Sequence, residues 1–195
     1  DVREALNKSC NIFFYETGRL LGIEKMNDYC SRFGLGQKTG VEINESAGVL
    51  ASISYREAHG GVWYPGDTVQ AAIGQSDNLF TPIQLANYAA TIANDGTRYQ
   101  AHFVKSIKTS DYSETVLENN GTVLNEVGAS KDTMQTVKEG MLRMGSRLSA
   151  FKKLPFQVAS KSGTAESKAK VDGEIVEGLN GFMISFAPYD DPEIA

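Results

Sequence analysis

The sequence predicts an α/β protein of the α+β kind, helices first and strands last. Three observations predict it. Apolar residues recur at helical spacing through much of the first 94 residues and again after Ser130, with capping and stopping residues between the runs. From Phe156 the period changes to two, and Phe182, Ile184 and Phe186 alternate with Met183, Ser185 and Ala187. A polar excursion through Lys168, Lys170 and Asp172-Gly173 joins those two stretches as a hairpin arm.

Composition bounds the reading. A length of 195 residues suits one domain, or one domain with a helical subdomain, and 41% hydrophobic residues can furnish a core. The formal net charge is −5 and no basic block occurs, so nucleic acid is not expected as a partner. No apolar run approaches the roughly 20 residues that span a bilayer, and no signal peptide is visible. The chain opens on Asp1-Val2-Arg3-Glu4 and closes on Pro192-Glu193-Ile194-Ala195 as a new apolar stretch begins. Both ends read as cut. Cys10 and Cys30 make no disulfide framework and are expected as free, buried thiols. His59 and His102 lack the spacing of a metal pair, and no metal or cofactor is expected.

Taken in order, Asp1 to Lys8 reads as helix. Ser9 breaks it and is a candidate N-cap for the next helix, whose apolar face is Ile12, Phe13, Leu20 and Leu21 and whose stop is Gly22. A further helix runs from about Glu24 to Phe33, ended by Gly34. Residues 34–61 form a glycine-punctuated loop with a short strand at Val41 and Ile43. Trp63-Tyr64-Pro65-Gly66-Asp67 reads as a turn, its aromatic pair as packing before ligand contact. Thr81 as N-cap and Pro82 at the first helical position start a helix to about Asn94, with Ile83, Ala86, Ala90 and Ala93 as its small-residue face. Tyr99 to Lys108 and Glu114 to Leu117 have strand character, and Asn119-Asn120-Gly121 is a hairpin turn into Thr122-Val123-Leu124. Ser130 caps a helix whose Met134, Val137, Met141, Leu142 and Met144 read as core. Glu193 should begin a third strand after Phe186, missing here. The helical part spans about 1–97 and 130–147, the sheet part about 98–124 and 156–195.

Two short motifs stand out. Lys161-Ser162-Gly163-Thr164 ends an alternating run: a cation, two hydroxyls able to turn toward a carboxylate, and a glycine that lets a ligand lie against the backbone. An edge strand with a glycine bulge explains the same four residues. Ser9-Cys10-Asn11 places a hydroxyl and an amide two apart before an apolar helix, and helix capping explains those. Lys38-Thr39-Gly40 repeats the first pattern literally, but no long strand precedes it and it lies close to Ser9, so it reads as a decoy.

S-x-N followed about 150 residues later by K-S-G resembles the motif order of penicillin-binding proteins and serine β-lactamases. The likeness extends over nearly the whole chain. Ser9 to Tyr15, Phe33 to Gly40, Trp63 to Thr68, Ile73-Gly74-Gln75 with Thr81-Pro82, and Gly181-Phe182 to Pro188 look like a class B penicillin-binding protein. Trp63-Tyr64-Pro65-Gly66-Asp67 resembles the elongation type more than the division type. Ser76 departs from that pattern, since elongation-type members often have glycine there. The resemblance implies a penicillin-binding protein/serine β-lactamase-like transpeptidase fold, an antiparallel sheet flanked by helices with a helical subdomain, incomplete at both ends. It implies acyl transfer through a seryl ester, with a stem peptide ending in D-Ala-D-Ala as donor, a neighbouring stem amine as acceptor, and β-lactams as mimics of the donor. By resemblance Ser9 relays a proton toward the leaving amine, Asn11 hydrogen-bonds the substrate peptide, and Lys161 raises the local potential and joins the relay. Ser162 and Thr164 bind the substrate carboxylate, Thr164 N–H forms half of an oxyanion hole, and Gly163 keeps that wall flat.

The family also needs S-x-x-K ahead of S-x-N, and only eight residues precede Ser9. Ser149-Ala150-Phe151-Lys152 and Ser167-Lys168-Ala169-Lys170 match literally but fall on the wrong side and begin no apolar helix. The nucleophile is therefore expected before Asp1, and the chain alone is expected to be inactive. A β-lactam-sensing domain, which a signalling membrane segment elsewhere would favour, and a catalytically silent cell-wall scaffold, which an upstream S-x-x-K would oppose, share the fold. A β-lactamase would need a hydrolytic carboxylate for which no motif is recognisable. The family places the whole protein at the extracytoplasmic face of the bacterial cell membrane, anchored by a helix not in this chain, with a SEDS-type glycosyltransferase as partner.

Overall fold

The structure is a computed structural model describing residues 1–171 and 174–195, with side chains outside 167–173. Six helices come first: α1 (Val2–Lys8), α2 (Asn11–Leu21), α3 (Ile23–Arg32), α4 (Ile53–Ala58), α5 (Pro65–Ala71) and α6 (Pro82–Ala93). Four short strands follow, β1 (Thr97–Tyr99), β2 (Ser106–Lys108), β3 (Thr115–Glu118) and β4 (Val123–Glu126), then α7 (Lys131–Gly145) and the long strands β5 (Ala159–Val171) and β6 (Glu174–Phe186). Among the described residues the strands pair antiparallel as β1–β4, β2–β3 and β5–β6.

Local chemistry accounts for the helix ends. Thr81 accepts the Gln84 N–H while the Gln84 side chain takes the Thr81 N–H, and Pro82 fills the position where no amide donor is needed. The Ser130 hydroxyl takes the Thr133 N–H at the start of α7. The core lies where α6, α7 and the hairpin meet: Ile92, Ala93, Met134, Met141, Ala159 and Phe186 are all buried. Full burial of a Met or Phe contributes about 1.5–3 kcal/mol each, so this cluster clamps α7 to β5. A Cβ on Gly145 would collide with the Val158 carbonyl, so glycine sets how closely α7 approaches the strand.

The structure corrects several expectations. Ser9 does not cap α2: it ends α1 with left-handed backbone (φ 50, ψ 52), its N–H on Leu6 O and the Cys10 N–H on Ala5 O, and Cys10 precedes α2. Ile12, Leu20 and Leu21 are exposed, because α2 packs through Gly18 against Ala72 beside α5. Val41 and Ile43 form no strand. Trp63 to Asp67 is not a free turn: Pro65 opens α5, and Asp67 accepts the Tyr64 N–H. The buried face of α6 carries Gln84, Ala89, Thr91, Ile92 and Ala93, with Ala86 exposed. The Tyr99–Lys108 stretch divides, its ends belonging to separate pairs. β3 and β4 are not a hairpin, since β3 pairs with β2 and β4 with β1. Both cysteines are free, as expected, but half-buried. Ile194 bridges back to Ala187, a single antiparallel contact where a third strand was expected to be missing. The expected hairpin arm stands as β5 and β6, in register from Ala159↔Phe186 to Val171↔Glu174; Asp172-Gly173 and the side chains of Lys168 and Lys170 lie outside the described residues.

Candidate active site

Lys161 sits on β5 opposite Ile184, one residue beyond the fully buried Ser160. Its Nζ donates to Ser9 Oγ at 2.7 Å and to the Ser162 carbonyl. Residues 152 apart thus meet through one hydrogen bond. The contact follows from packing. α1 lies along α7, with Leu6 seated over Gly140, Arg3 paired with Glu139, and Arg147 donating to the Asn7 carbonyl at 2.8 Å. α7 is in turn seated on β5. Helix α1 therefore carries Ser9 to the strand, and the left-handed turn at Ser9 presents the hydroxyl.

Left-handed backbone is unfavourable for a residue with a Cβ and is usually given to glycine. A serine there holds a hydroxyl where a better helix terminator would have none. Burial pushes the Lys161 ammonium below the usual lysine range. A cation that is easier to deprotonate, touching a hydroxyl, is suited to passing a proton.

Ser162, Gly163 and Thr164 continue along the exposed part of β5, opposite Met183, Phe182 and Gly181. A Cβ built on Gly163 meets nothing within 4 Å, in contrast to Gly145, so nothing in this chain's packing requires a glycine at 163. Asn11 opens α2 and is exposed, two residues after Ser9. The structure thus joins Ser9 to Lys161 directly, places Asn11 two residues on from Ser9 at the start of α2, and leaves Ser162 and Thr164 exposed.

Of the internal S-x-x-K matches, Ser149 and Lys152 are both exposed at a 3-10 turn, with no apolar setting for the amine. Ser167 and Lys170 lie in β5, their side chains outside the described ones. Lys38-Thr39-Gly40 is occupied internally: Glu45 accepts from Thr39 N–H, Thr39 hydroxyl and Gly40 N–H. Sequence reading missed that partner, since Glu45 carries no motif of its own. It also missed Arg56, which donates to Asp77 at 2.6 Å and to Asp67 and Ser76 at 3.2 Å. Ser76 has φ 63, a conformation that favours glycine, and its hydroxyl is held by Arg56. Among the described residues no cluster of His, Cys, Asp or Glu side chains is arranged to hold a metal, and no helix is long and apolar enough to cross a membrane.

The family model for the penicillin binding protein transpeptidase domain matches residues 1–195. Peptidoglycan D,D-transpeptidase MrdA of Salmonella typhimurium is 27% identical over 210 residues, which cover 100% of this chain and 34% of that protein. Penicillin-binding protein 2A of Bacillus subtilis is 30% identical over 224 residues, with 100% and 30% covered. Among solved structures, penicillin-binding protein A from M. tuberculosis as a ceftriaxone acyl-enzyme complex superposes with a TM-score of 0.83 at 25% identity, over 100% of this chain and 41% of that one. The complex between PBP2 and MreC from Helicobacter pylori gives 0.77 at 27% identity, with 98% and 34% covered. The chain spans about a third of the length of these curated relatives.

Helices packed on an antiparallel hairpin, in this arrangement, define the class as the penicillin-binding transpeptidase fold. The chain belongs to the penicillin binding protein transpeptidase domain family, in its class B branch, and its curated relatives include MrdA proteins of the elongation type.

Proposed function

We propose that this chain supplies one wall and the helical floor of the acyl-transfer site of a peptidoglycan D,D-transpeptidase. The observation that carries the reading is the 2.7 Å bond between Lys161 Nζ and Ser9 Oγ, which sets the K-S-G strand against the S-x-N turn.

In this reading a serine outside these residues, its proton taken by the lysine of the same S-x-x-K motif, attacks the carbonyl of the penultimate D-alanine of a stem peptide, forming an ester and releasing terminal D-alanine. Ser9 hands a proton to the departing amine, and Lys161 replenishes it through the observed bond. Asn11 donates to the substrate's peptide carbonyl. The Ser162 and Thr164 hydroxyls, on exposed residues, take the terminal carboxylate. The Thr164 N–H stabilises the oxyanion, a donor whose loss typically costs about 3 kcal/mol. Gly163 leaves room for the substrate to lie flat on β5. The amine of a second stem peptide then attacks the ester and completes the cross-link. A β-lactam enters as a cyclic imitation of the donor and stops at the ester. One of the solved relatives is a ceftriaxone acyl-enzyme complex, which supports this part of the reading. Membrane anchoring at the extracytoplasmic face and a SEDS-type glycosyltransferase partner belong to the same proposal.

Labelling with a fluorescent penicillin, read on denaturing gels, tests it. This chain alone should stay unlabelled, and a form containing an upstream S-x-x-K should label covalently, about 100-fold more slowly on Ser9→Ala. Stable labelling of the chain alone would assign the nucleophile to an internal serine. Absence of label from a folded longer form would favour a silent scaffold.

A further inference from the structure

The Ser9–Lys161 contact closes a ring of packing that passes through Arg147. Gly145 seats the end of α7 against the Val158 carbonyl, just ahead of β5. Two residues on, beyond the Ser146 cap of α7, Arg147 donates to the Asn7 carbonyl at 2.8 Å. Asn7 stands two residues before Ser9, whose hydroxyl returns to Lys161 on β5. The path from strand to α7, to α1 and back to the strand therefore runs through one guanidinium.

The end of α1 gives that guanidinium its work. The last carbonyls of a helix have no partner within it. Here the Ala5 carbonyl takes the Cys10 N–H at 3.0 Å and the Leu6 carbonyl takes the Ser9 N–H at 3.3 Å, both through the left-handed turn at Ser9. The Asn7 carbonyl goes to Arg147, and a cation suits the partial negative charge of helix-end carbonyls. Among the described residues no carboxylate pairs with Arg147, so its side chain is committed to that carbonyl. The other ionic ties between α1 and α7 lie farther back, Arg3 with Glu139 and Arg143 with Glu4. Left-handed backbone is unfavourable for a residue with a Cβ, so the turn at Ser9 has to be held from outside itself. Arg147 is the tie nearest to it.

We propose that Arg147 is a positioning residue for Ser9: by holding the Asn7 carbonyl it fixes the turn that keeps the Ser9 hydroxyl on Lys161. Its consequence for acyl transfer rests on the transpeptidase reading, and its hold on the turn does not. The test therefore has two arms. Amide hydrogen exchange at Ser9 and Cys10 should speed at least about fivefold in Arg147→Met, with the amides of α6 unchanged and Arg147→Lys close to wild type. In a form that contains an upstream S-x-x-K, the rate constant of penicillin acylation should fall about tenfold in Arg147→Met, with the preceding dissociation constant unchanged, and Arg147→Lys should recover to within about threefold of wild type. In a Ser9→Ala background the same Arg147→Met change should alter the rate less than about twofold, because a residue that acts through the Ser9 hydroxyl then has nothing to position. Thermal unfolding of each variant reports the fold. Unchanged exchange at Ser9 and Cys10, wild-type acylation by folded Arg147→Met, or an effect undiminished without the Ser9 hydroxyl would each overturn the proposal. A folded wild-type form that never acylates would instead overturn the transpeptidase reading, and exchange at Ser9 and Cys10 would then decide by itself whether Arg147 holds the turn.

Discussion

Glu45 turns its carboxylate back onto Thr39, accepting the Thr39 hydroxyl at 2.8 Å and its N–H at 2.9 Å on one oxygen and the Gly40 N–H at 2.7 Å on the other. A Lys-Thr-Gly turn thus binds a carboxylate from its own chain. Burial, the largest single influence, pushes this carboxyl's pKa up, but the three donors together outweigh it and hold it below the usual range. A depressed folded pKa contributes stability that is complete above the unfolded value of about 4.3 and is lost as pH falls through the folded one. Glu45→Gln should therefore cost about 1 kcal/mol at pH 7, as exposure screens part of a charge-assisted bond. The gap between variant and wild type should close below about pH 4. Urea melts at several pH values read both; an equal gap at pH 3 and pH 7 would sink the idea.

Ser9 trades helix termination for a hydroxyl. Ser9→Gly removes a side chain from left-handed backbone and should raise stability by about 0.5–1 kcal/mol. Ser9→Ala keeps the strain and should bring no such gain. Both lose the contact to Lys161, and in a form that binds penicillin both should slow labelling about 100-fold. Calorimetry and labelling rates on the pair separate cap from chemistry. A stability loss in the glycine variant would contradict the assignment of strain.

These two positions show what was readable beforehand. Periodicity found most of the helices, because α7 buries one face and must repeat its apolar residues accordingly, and alternation found the long hairpin although β6 is buried only at its Phe186 end; α4 (Ile53–Ala58), inside the stretch read as loop, was missed. Thr81-Pro82 and Ser130 announced helix starts through local capping, which needs no knowledge of the rest of the chain. The motif residues Ser9 and Lys161 were visible as residue types in order. Their 2.7 Å meeting was not, since it depends on α1 lying along α7 and α7 on β5. Pairing of β1 with β4 and of β2 with β3 was equally hidden: the Asn119-Asn120-Gly121 turn signal is local, and the choice of partner strand is not. The exposed Ile12 and Leu20 misled for the same reason, because helical spacing says that a face is apolar and not what covers it.

Lys161 titrates in a setting that disfavours its charge. A lysine whose folded pKa lies below its unfolded value of about 10.4 lowers stability while charged, and stability rises with pH between the two values because the unfolded state binds more protons. Lys161→Met should thus be at least as stable as wild type at pH 7. Its advantage should shrink as pH is raised toward about 10. Penicillin labelling of a competent form should nonetheless drop by about 100-fold. A methionine variant that labels at the wild-type rate would remove Lys161 from the relay.

Gly145 and Gly163 separate packing from ligand access. A Cβ at Gly145 collides with the Val158 carbonyl, which is backbone and cannot swing aside. Gly145→Ala should force α7 off β5 and cost about 2–3 kcal/mol. Because α7 also carries α1, the Ser9–Lys161 contact should loosen with it. Gly163→Ala adds a methyl that meets nothing within 4 Å of this chain, so unfolding should stay within about 0.5 kcal/mol of wild type. If substrate lies flat on β5, that methyl stands in its path, and labelling of a competent form should fall at least about tenfold with the fold intact. The comparison is made by urea melts and labelling rates on both variants. Full labelling by a stable Gly163→Ala protein would show that the ligand does not run along this strand, and would move the carboxylate site away from Ser162 and Thr164.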